Sequence, residues 1–341
     1  MKPPPSRRKA SLALIAEQAG VSPSTVSRIV NGQLDRANPK TVARVQALVA
    51  QYGFRPNFIG RSLRRGESEV VAMLAPNLDN PAMGAIASST EAALRDAGYV
   101  MVLCDTHDRP DLQDSYFDAM RAQSVRGYVL VGTIASPGLK ALLERGEPTV
   151  LVGRRAPEGM GSAPFVGIDN RAAGAEAAEF LLQGGIARPA LLHAGLFSSA
   201  AADRVAGFCD HLAARGIPRE AIPLASSGRL QHMEAGYEAA GLLAATHGWP
   251  KGMMCVSDQM AYGVWRLARE RRVQIPEDCL IVGVDDNALN AWIAPWLTSV
   301  HVPYADFGAA IVSQLKAIWA GERPAERLLP HRLVERTFAA V

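Results

Sequence analysis

The chain has 341 residues, 48% hydrophobic and 20% charged, with a formal net charge of +3. This length exceeds what one hydrophobic core usually organises, so two or three domains are expected, and the hydrophobic content excludes an extensively disordered chain. Its four cysteines are widely spaced, which argues against a metal knuckle or a disulfide framework. No apolar run reaches the roughly 18 residues of a membrane span, and no signal core follows the basic N-terminus. A soluble, cytoplasmic protein without membrane contact is therefore predicted.

Charge is distributed unevenly along the chain. Residues 1–65 contain twelve Lys and Arg residues and two acids, a balance of +10. The remaining residues contain 24 basic and 31 acidic residues, a balance of −7. A basic head on a mildly acidic body indicates that the head meets a polyanion such as DNA. A solvated basic tail is the alternative.

The head carries a helix-turn-helix pattern. Ser11 is a plausible N-cap of a first amphipathic helix, and Gly20 permits the tight left-handed turn that follows it. Ser22 can cap a second helix that has Pro23 at its first position, and a third helix starts near Asn38. The second helix of this motif enters the major groove by its N-terminal end. An ordinary helical hairpin is the alternative, and the basic charge of the head disfavours it.

The residues predicted to contact DNA in this motif lie on the second helix or at its ends. Its outward face is expected to include Ser24, Ser27 and Arg28, and an arginine is well suited to a bidentate contact with guanine. The full predicted set is Ser22, Pro23, Ser24, Thr25, Ser27, Arg28 and Asn31.

A short basic segment follows the helix-turn-helix. Asn57 can cap a helix over 58–65, in which Leu63 is an exposed apolar residue among arginines that include Arg61. An apolar wedge flanked by arginines suits entry into the minor groove. The alternative is a basic linker without a defined structure. Asn57, Arg61 and Leu63 are predicted DNA contacts.

Several of these motifs resemble a known family. The stretch LALIAEQAGVSPSTVSRIVNG, followed by PKTVARV and GFRPN, is similar to the head of the lactose-repressor (LacI-type) family of bacterial regulators. The resemblance continues through VSDQMA, VGVDD and LTSV in the body, and so covers nearly the whole chain. It implies that Leu63 is the lever inserted into the minor groove. Two departures stand out: Gly60 replaces a usual alanine, which costs the hinge helix about 1 kcal/mol, and 35–38 replaces a commoner valine-serine entry to the third helix.

After residue 66 the sequence alternates apolar strands with amphipathic helices. Near-continuously apolar strands of this kind form parallel sheets covered on both faces. Their number exceeds one doubly wound domain, so the predicted fold is an α-helical helix-turn-helix head plus an α/β body of two doubly wound parallel-sheet lobes. The family resemblance implies the architecture of periplasmic binding proteins, with crossovers near 165–168, 301–304 and 327–330. The predicted domains are a head over 1–56, a hinge over 57–66, an N-terminal lobe over 67–166 with 303–328, and a C-terminal lobe over 167–302 with 329–341.

Polar residues directly follow many of the strands. In open parallel sheets ligands bind outside the carboxyl ends of the strands, so two facing lobes predict a ligand site in the cleft between them. The resemblance implies that Arg204 and Asp285 hold the ligand, and such a pair can donate to and accept from vicinal hydroxyls. A simple salt bridge across the cleft is the alternative. The predicted effector-binding residues are Asn77, Asp79, Arg204, Gln231, Asp258, Asp285 and Tyr304.

Three members of this set carry further expectations. Tyr304 matches a position that is often aromatic and faces the pocket in the family. Gln231 stands roughly where many members offer a stacking aromatic ring, which disfavours a flat or hydrophobic effector. Asp258 has a competing interpretation as an N-cap that follows its strand.

Together these features predict a sequence-specific DNA-binding transcription regulator, typically a repressor, controlled by a small-molecule effector that is a sugar or a sugar derivative. An enzyme is the main competing class, but the sequence has no G-x-S-x-G, P-loop, G-x-G-x-x-G or paired-histidine metal motif, so no catalytic residue, metal or cofactor is predicted. A solute-binding protein would need an export signal and no basic head.

The expected partners are double-stranded operator DNA, the effector and a second copy of the chain. One helix-turn-helix makes too few base contacts for useful specificity, so a homodimer on two half-sites is predicted. Its candidate contact face is the one formed by Ala82, Met83, Ile86 and Ala87, together with helices of the second lobe.

Overall fold

The computed structural model describes residues 11–30, 32–34, 37–54, 68–196, 198–229 and 231–336. The chain divides into two compact units, Met1–Ser68 and Glu69–Val341. The predicted hinge helix and the DNA contacts proposed for Asn31, Asn57, Arg61 and Leu63 lie outside the described residues.

The head unit contains the helices predicted from its capping residues. They are α1 (Leu12–Ala19), α2 (Pro23–Val30) and α3 (Pro39–Gln51). The Ser11 side chain caps α1 by accepting a hydrogen bond from the Leu14 amide at 3.2 Å, and Gly20 ends that helix with a φ of 62°. The Ser22 side chain accepts from the Thr25 amide at 3.2 Å at the start of α2. These contacts confirm the helix-turn-helix.

The second helix presents part of its predicted DNA-binding face to solvent. The exposed members are Ser22, Pro23, Ser24 and Arg28. Thr25 is half-buried, and the outward orientation predicted for Ser27 is wrong, since this residue is only 9% exposed. Ser27 lies about 100° around α2 from the buried Val26 and about 160° from the buried Ile29, so its position on the helix does not explain its burial.

The strands of the first sheet of the body unit are β1 (Val70–Ala75), β2 (Val100–Asp105), β3 (Gly127–Val131), β4 (Thr149–Val152), β5 (Phe165–Gly167) and β11 (Arg327–Leu328). This sheet is parallel throughout its described pairings, and its strand order is β11-β5-β4-β3-β1-β2. Its helices are α4 (Pro81–Asp96), α5 (Pro110–Ala122), α6 (Pro137–Glu144) and α12 (Tyr304–Trp319). Along β1, Val71 and Met73 enter one buried cluster and Ala72 and Leu74 enter another, because successive side chains point to opposite faces.

The strands of the second sheet are β6 (Ala190–Leu192), β7 (Leu224–Ala225), β8 (Gly252–Cys255), β9 (Leu280–Asp285), β10 (Thr298–His301) and β12 (Arg332–Val334). Their order in the sheet is β12-β10-β9-β8-β6-β7. Its helices are α7 (Asn170–Gln183), α8 (Ser199–Ala214), α9 (His232–His247), α10 (Asp258–Glu270) and α11 (Asn290–Ile293). Only β12, at the edge, runs antiparallel among the described pairings of this sheet, a departure from the wholly parallel expectation.

The parts of the body built on these two sheets are called the first lobe and the second lobe. The chain passes from one sheet to the other after β5, after β10 and after β11. Within the described ranges, no helix is both long enough and apolar enough to cross a membrane.

The face of α4 expected to meet a second copy is buried within its own lobe. Ala82, Ile86 and Ala87 are 4%, 2% and 7% exposed. The helix lies against α12 so closely that a Cβ atom added to Gly308 would stand 1.9 Å from the backbone oxygen of Ser89. These three residues are therefore not available to a second copy. Met83 on the same helix is half-buried, so a dimer contact through it and through the second lobe stays a prediction.

Helices α7 and α8 pack at a similar distance. A Cβ atom on Gly207 would lie 2.0 Å from the backbone oxygen of Arg171, and one on Gly174 would lie 2.1 Å from the backbone oxygen of Arg204. Neither backbone can move aside without separating the two helices. In contrast, a Cβ atom on Gly241 in α9 would meet only the end of the Leu267 side chain, at 3.7 Å.

We expect opposite effects from alanine at two of these helical glycines. Gly207→Ala should lower the free energy of unfolding by about 1–3 kcal/mol or more, because the added methyl group forces α7 and α8 apart. Gly241→Ala should raise it by about 0.5–1 kcal/mol, because alanine restricts the unfolded chain and favours the helix. Urea denaturation of the two variants and the parent measures both. Equal stability of the parent and Gly207→Ala would contradict the close approach.

Candidate functional site

A cavity lies between the two lobes, where the carboxyl ends of strands from both sheets face each other. Its space measures about 970 Å³ when the open mouth is included. The charged and hydrogen-bonding side chains on its wall include Asn80, Asp108, Arg154, Asn170, Ser198, Arg204, His232, Ser257, Asp285 and Tyr304. Over the described ranges, no group of three or more His, Cys, Asp or Glu side chains is arranged to hold a metal ion.

Arg204 enters the cavity from α8 and is held by two acceptors. Its Nε donates to Oδ1 of Asn170 at 2.8 Å, and its Nη1 donates to the backbone oxygen of Val256 at 2.7 Å. Among the described residues, no ion pair joins Arg204 to Asp285, so the simple salt bridge considered from the sequence does not form here. Each of the two charged groups is fixed by its own neighbours while both face the cavity.

Asp285 ends β9 in a backbone conformation that is rare for a side-chain-bearing residue. Its φ is 123°, a geometry that costs about 1–3 kcal/mol and persists only where the surroundings impose it. The Tyr304 hydroxyl donates to Oδ1 of Asp285 at 2.6 Å. Burial raises the pKa of Asp285, an effect opposed by the nearby Arg204 guanidinium and by this hydrogen bond. The pKa of Tyr304 is raised by burial and by Asp285, so the phenol keeps its proton and remains a donor.

Asp258 lies behind the cavity rather than on its wall. Its carboxylate accepts hydrogen bonds from the Asn287 amide at 2.8 Å, the Asn290 side chain at 2.8 Å and the Ser299 hydroxyl at 2.6 Å. The side chain that caps α10 is Ser257, which corrects the alternative interpretation of Asp258 as the N-cap. With 1% exposure and three donors, Asp258 receives no support from the structure as an effector ligand.

The ionisation of Asp258 is unfavourable at this position. Burial, and then the neighbouring Asp285, raise the pKa of Asp258 to about 7, against the hydrogen bonds that favour the carboxylate.

Three other predicted residues do not line the cavity. Asn77 is half-buried and its Oδ1 accepts from the Asp79 amide at 2.9 Å, while Asp79 itself is exposed. Gln231 is exposed just before α9. The side chains that reach the wall in their place are neighbours in sequence, Asn80 and His232.

His232 provides the flat ring that was missing at position 231. Its Nδ1 lies 2.7 Å from the Ser257 hydroxyl. Burial lowers the pKa of His232 to about 4, with smaller contributions from the positive charges of Arg154 and Arg204. The imidazole is thus neutral near pH 7, and the expectation that this site disfavours a flat effector loses its basis.

Asp108 and Arg154 of the first lobe also line the cavity, although neither was predicted from the sequence. Nη1 of Arg154 lies 3.3 Å from Oδ1 of Asp108 and 3.4 Å from the backbone oxygen of Gly132. A signal was present, since Arg154 stands two residues after the end of β4, and the ends of parallel strands are where ligands bind. Burial raises the pKa of Asp108, while Arg154 opposes this rise.

The head unit and the body unit each match the model of a known protein family. The model for bacterial regulatory proteins of the lacI family matches residues 11–57, and that for the periplasmic binding protein-like domain matches 177–337. An uncharacterised HTH-type transcriptional regulator from Streptomyces limosus is 34% identical over 312 residues, which cover 89% of this chain and 86% of the relative. The chain belongs to the lacI family of bacterial regulatory proteins. It is thus a DNA-binding transcription regulator.

Two solved structures resemble this lacI-family chain. A complex of the transcriptional regulator CelR with cellobiose has a TM-score of 0.71 and 25% identity, and the match covers 96% of this chain and 99% of CelR. The lac repressor dimer bound to operator and the anti-inducer ONPF has a TM-score of 0.83 and 23% identity, and the match covers 96% of this chain and 98% of the lac repressor chain. The latter supports the fold, a helix-turn-helix followed by two α/β lobes.

The buried Asp258 predicts how stability depends on pH. The folded-state pKa lies above the unfolded value near 4, so the contribution of Asp258 to stability is complete below about pH 4 and is lost as pH rises through about 7. The free energy of unfolding of the parent, relative to Asp258→Asn, should therefore fall between pH 4 and pH 7. Urea denaturation of both proteins across this range measures the difference. A difference that rises with pH would contradict the unfavourable ionisation.

Proposed function

We propose that this lacI-family protein is a homodimeric repressor whose operator affinity is controlled by a sugar or a sugar derivative bound between the two lobes. The observation that carries the proposal is the cavity in which Arg204 and Asp285 face the same space without pairing with each other. An arginine that donates and a carboxylate that accepts can together bind vicinal hydroxyls. The cellobiose complex of the related regulator CelR supports a carbohydrate as the ligand class.

On the DNA side, we propose that α2 reads the operator through its exposed residues. Ser24 and Arg28 lie one helical turn apart, and Nε of Arg28 donates to the Ser24 backbone oxygen at 3.3 Å. The remaining guanidinium donors of Arg28 face solvent, where they can reach a guanine edge. We retain Asn57, Arg61 and Leu63 as proposed hinge contacts.

Several further features belong to the same proposal. The domain limits are those inferred from the sequence, with lobes over 67–166 with 303–328 and 167–302 with 329–341. A second copy of the chain would supply the second half-site reader, which one helix-turn-helix needs for a useful specificity ratio. We further propose that the protein acts in the cytoplasm and does not catalyse a reaction on its effector.

Arg28→Ala tests the operator contact. The substitution should weaken binding to the operator, selected from a random duplex pool, by about 1–3 kcal/mol and relax the preference at one base pair per half-site. Binding to single-base operator variants at fixed salt measures both effects. The matched control is Arg44→Ala, an exposed arginine on α3, which should leave base preference unchanged. Equal weakening of all sequences by Arg28→Ala would reduce Arg28 to a phosphate contact.

Arg204→Ala and Asp285→Asn test the effector site. The ligand is the sugar that most raises the melting temperature of the parent in a screen. Each substitution should abolish the change in operator affinity that this sugar causes, because each removes one of the two polar side chains that hold it. Operator binding without sugar should remain. Arg95→Ala, an exposed arginine on α4, is the matched control and should respond like the parent. A full response in either site variant would remove that residue from the effector site.

A further inference from the structure

The wall of the cavity is rich in hydrogen-bond donors that have no acceptor among the described residues. In the first lobe, the contacts that Arg154 makes with described residues use only Nη1 and are long, so no described residue accepts from its Nε or Nη2 groups. In the second lobe, Arg204 uses Nε and Nη1, so its Nη2 group remains. Arg154, Arg204 and His232 all line this same cavity.

Two asparagines add to this excess, and their orientation is fixed by their partners. Oδ1 of Asn80 accepts from the Ala82 amide at 3.0 Å. Oδ1 of Asn170 accepts from Nε of Arg204 at 2.8 Å. Since each oxygen is occupied by an unambiguous donor, the opposite end of each amide is an NH₂ group with no acceptor in the described parts of the chain. Helix α8 also begins at the wall, where Ser198 and Ala200 lie, and a helix N-terminus favours negative charge.

The charged acceptors at this wall are partly occupied. Asp285 has one oxygen occupied by the Tyr304 hydroxyl, and Asp108 is in contact with Arg154. The formal charges of Arg154 and Arg204 balance those of Asp108 and Asp285, so net charge does not decide what binds. The numbers of available hydrogen-bond donors and acceptors decide which kind of ligand binds. A neutral sugar presents hydroxyls that both donate and accept, whereas a carboxylate or phosphate only accepts and matches a wall with surplus donors.

From this inventory we infer that the effector is an anionic sugar, whose carboxylate or phosphate group is held between Arg154 of the first lobe and Arg204 of the second lobe. The inference rests on the proposed function and specifies its ligand class. Asp285 would accept from the hydroxyls of the same molecule. Arg154 is then the residue that distinguishes an acidic sugar from its neutral counterpart, because it brings a second guanidinium to the site.

The test compares neutral sugars with their anionic counterparts on the full-length protein. Melting temperatures are measured at constant pH and ionic strength with glucose, glucuronate, gluconate and glucose 6-phosphate, with galactose and galacturonate, and with inorganic phosphate. At least one anionic sugar should bind about tenfold or more tightly than its neutral counterpart, since a charge-assisted bidentate contact is gained. The carboxylate and phosphate members identify which anion the site takes.

Three variants assign the preference to Arg154. Arg154→Gln should reduce affinity for the anionic sugar by about tenfold or more and leave affinity for the neutral sugar within about twofold. Asp108→Asn should raise affinity for the anionic sugar about threefold, because it removes a carboxylate that competes for Arg154. The matched control is Arg155→Gln, an adjacent arginine whose Nη1 bonds to Glu326 at 2.6 Å and which lies off the cavity wall, and it should bind like the parent.

The outcomes separate the inference from the function on which it rests. A neutral sugar that binds as tightly as its acidic or phosphorylated form, or an unchanged anion preference in Arg154→Gln, overturns the inference while a sugar effector stands. Stabilisation by inorganic phosphate alone, lost in Arg154→Gln, supports the anion site but overturns the sugar. If no compound raises the melting temperature, both are overturned.

Discussion

The second-lobe half of the cavity depends on one buried carboxylate. Asp258 gathers the Asn287 amide, the Asn290 side chain and the Ser299 hydroxyl, and these groups fix the turn that follows β9. The Ser299 oxygen also accepts from the Asp286 amide at 3.0 Å, so the backbone just after Asp285 is held on both sides. This framework imposes the rare backbone conformation of Asp285, which directs its side chain toward the cavity and the Tyr304 hydroxyl. The burial that lets Asp258 hold this turn also makes its ionisation unfavourable.

Close helix packing performs the corresponding task for the arginine. Gly207 lies on α8 three residues after Arg204, and Gly174 lies on α7 four residues after Asn170. Their missing side chains let the two helices approach until the Arg204 guanidinium reaches both Asn170 and the strand end at Val256. The position of the Arg204 guanidinium is therefore determined by backbone contact between the two helices. The distance between two packed helices varies less than the position of a flexible side chain does.

Much of this architecture could be predicted from the sequence, because strong local signals coincide with tertiary burial. Ser11, Gly20 and Ser22 marked the helix ends, and long apolar runs marked strands such as β1 and β9. Short or polar strands such as β10, which contains Thr298 and His301, lacked that signal because their neighbours rather than their composition place them in the sheet. Arg204 and Asp285 could be predicted as site residues because they lie in recognisable motifs. Gln231 and Asn77 could not be placed correctly, because the residues that reach the cavity wall lie one and three positions further along the chain. The direction of a loop side chain is set by the packing of the whole lobe.

The four cysteines of this chain are all buried as free thiols, on or beside the strands and helices of the body. Burial raises the pKa of each of them, which leaves little reactive thiolate near neutral pH. A maleimide dye would consequently ignore the native thiols and label a cysteine introduced at an exposed position in either lobe. Fluorescence measurements of how far the lobes close could therefore use introduced cysteines alone, and none of the native cysteines in the core would need to be replaced first.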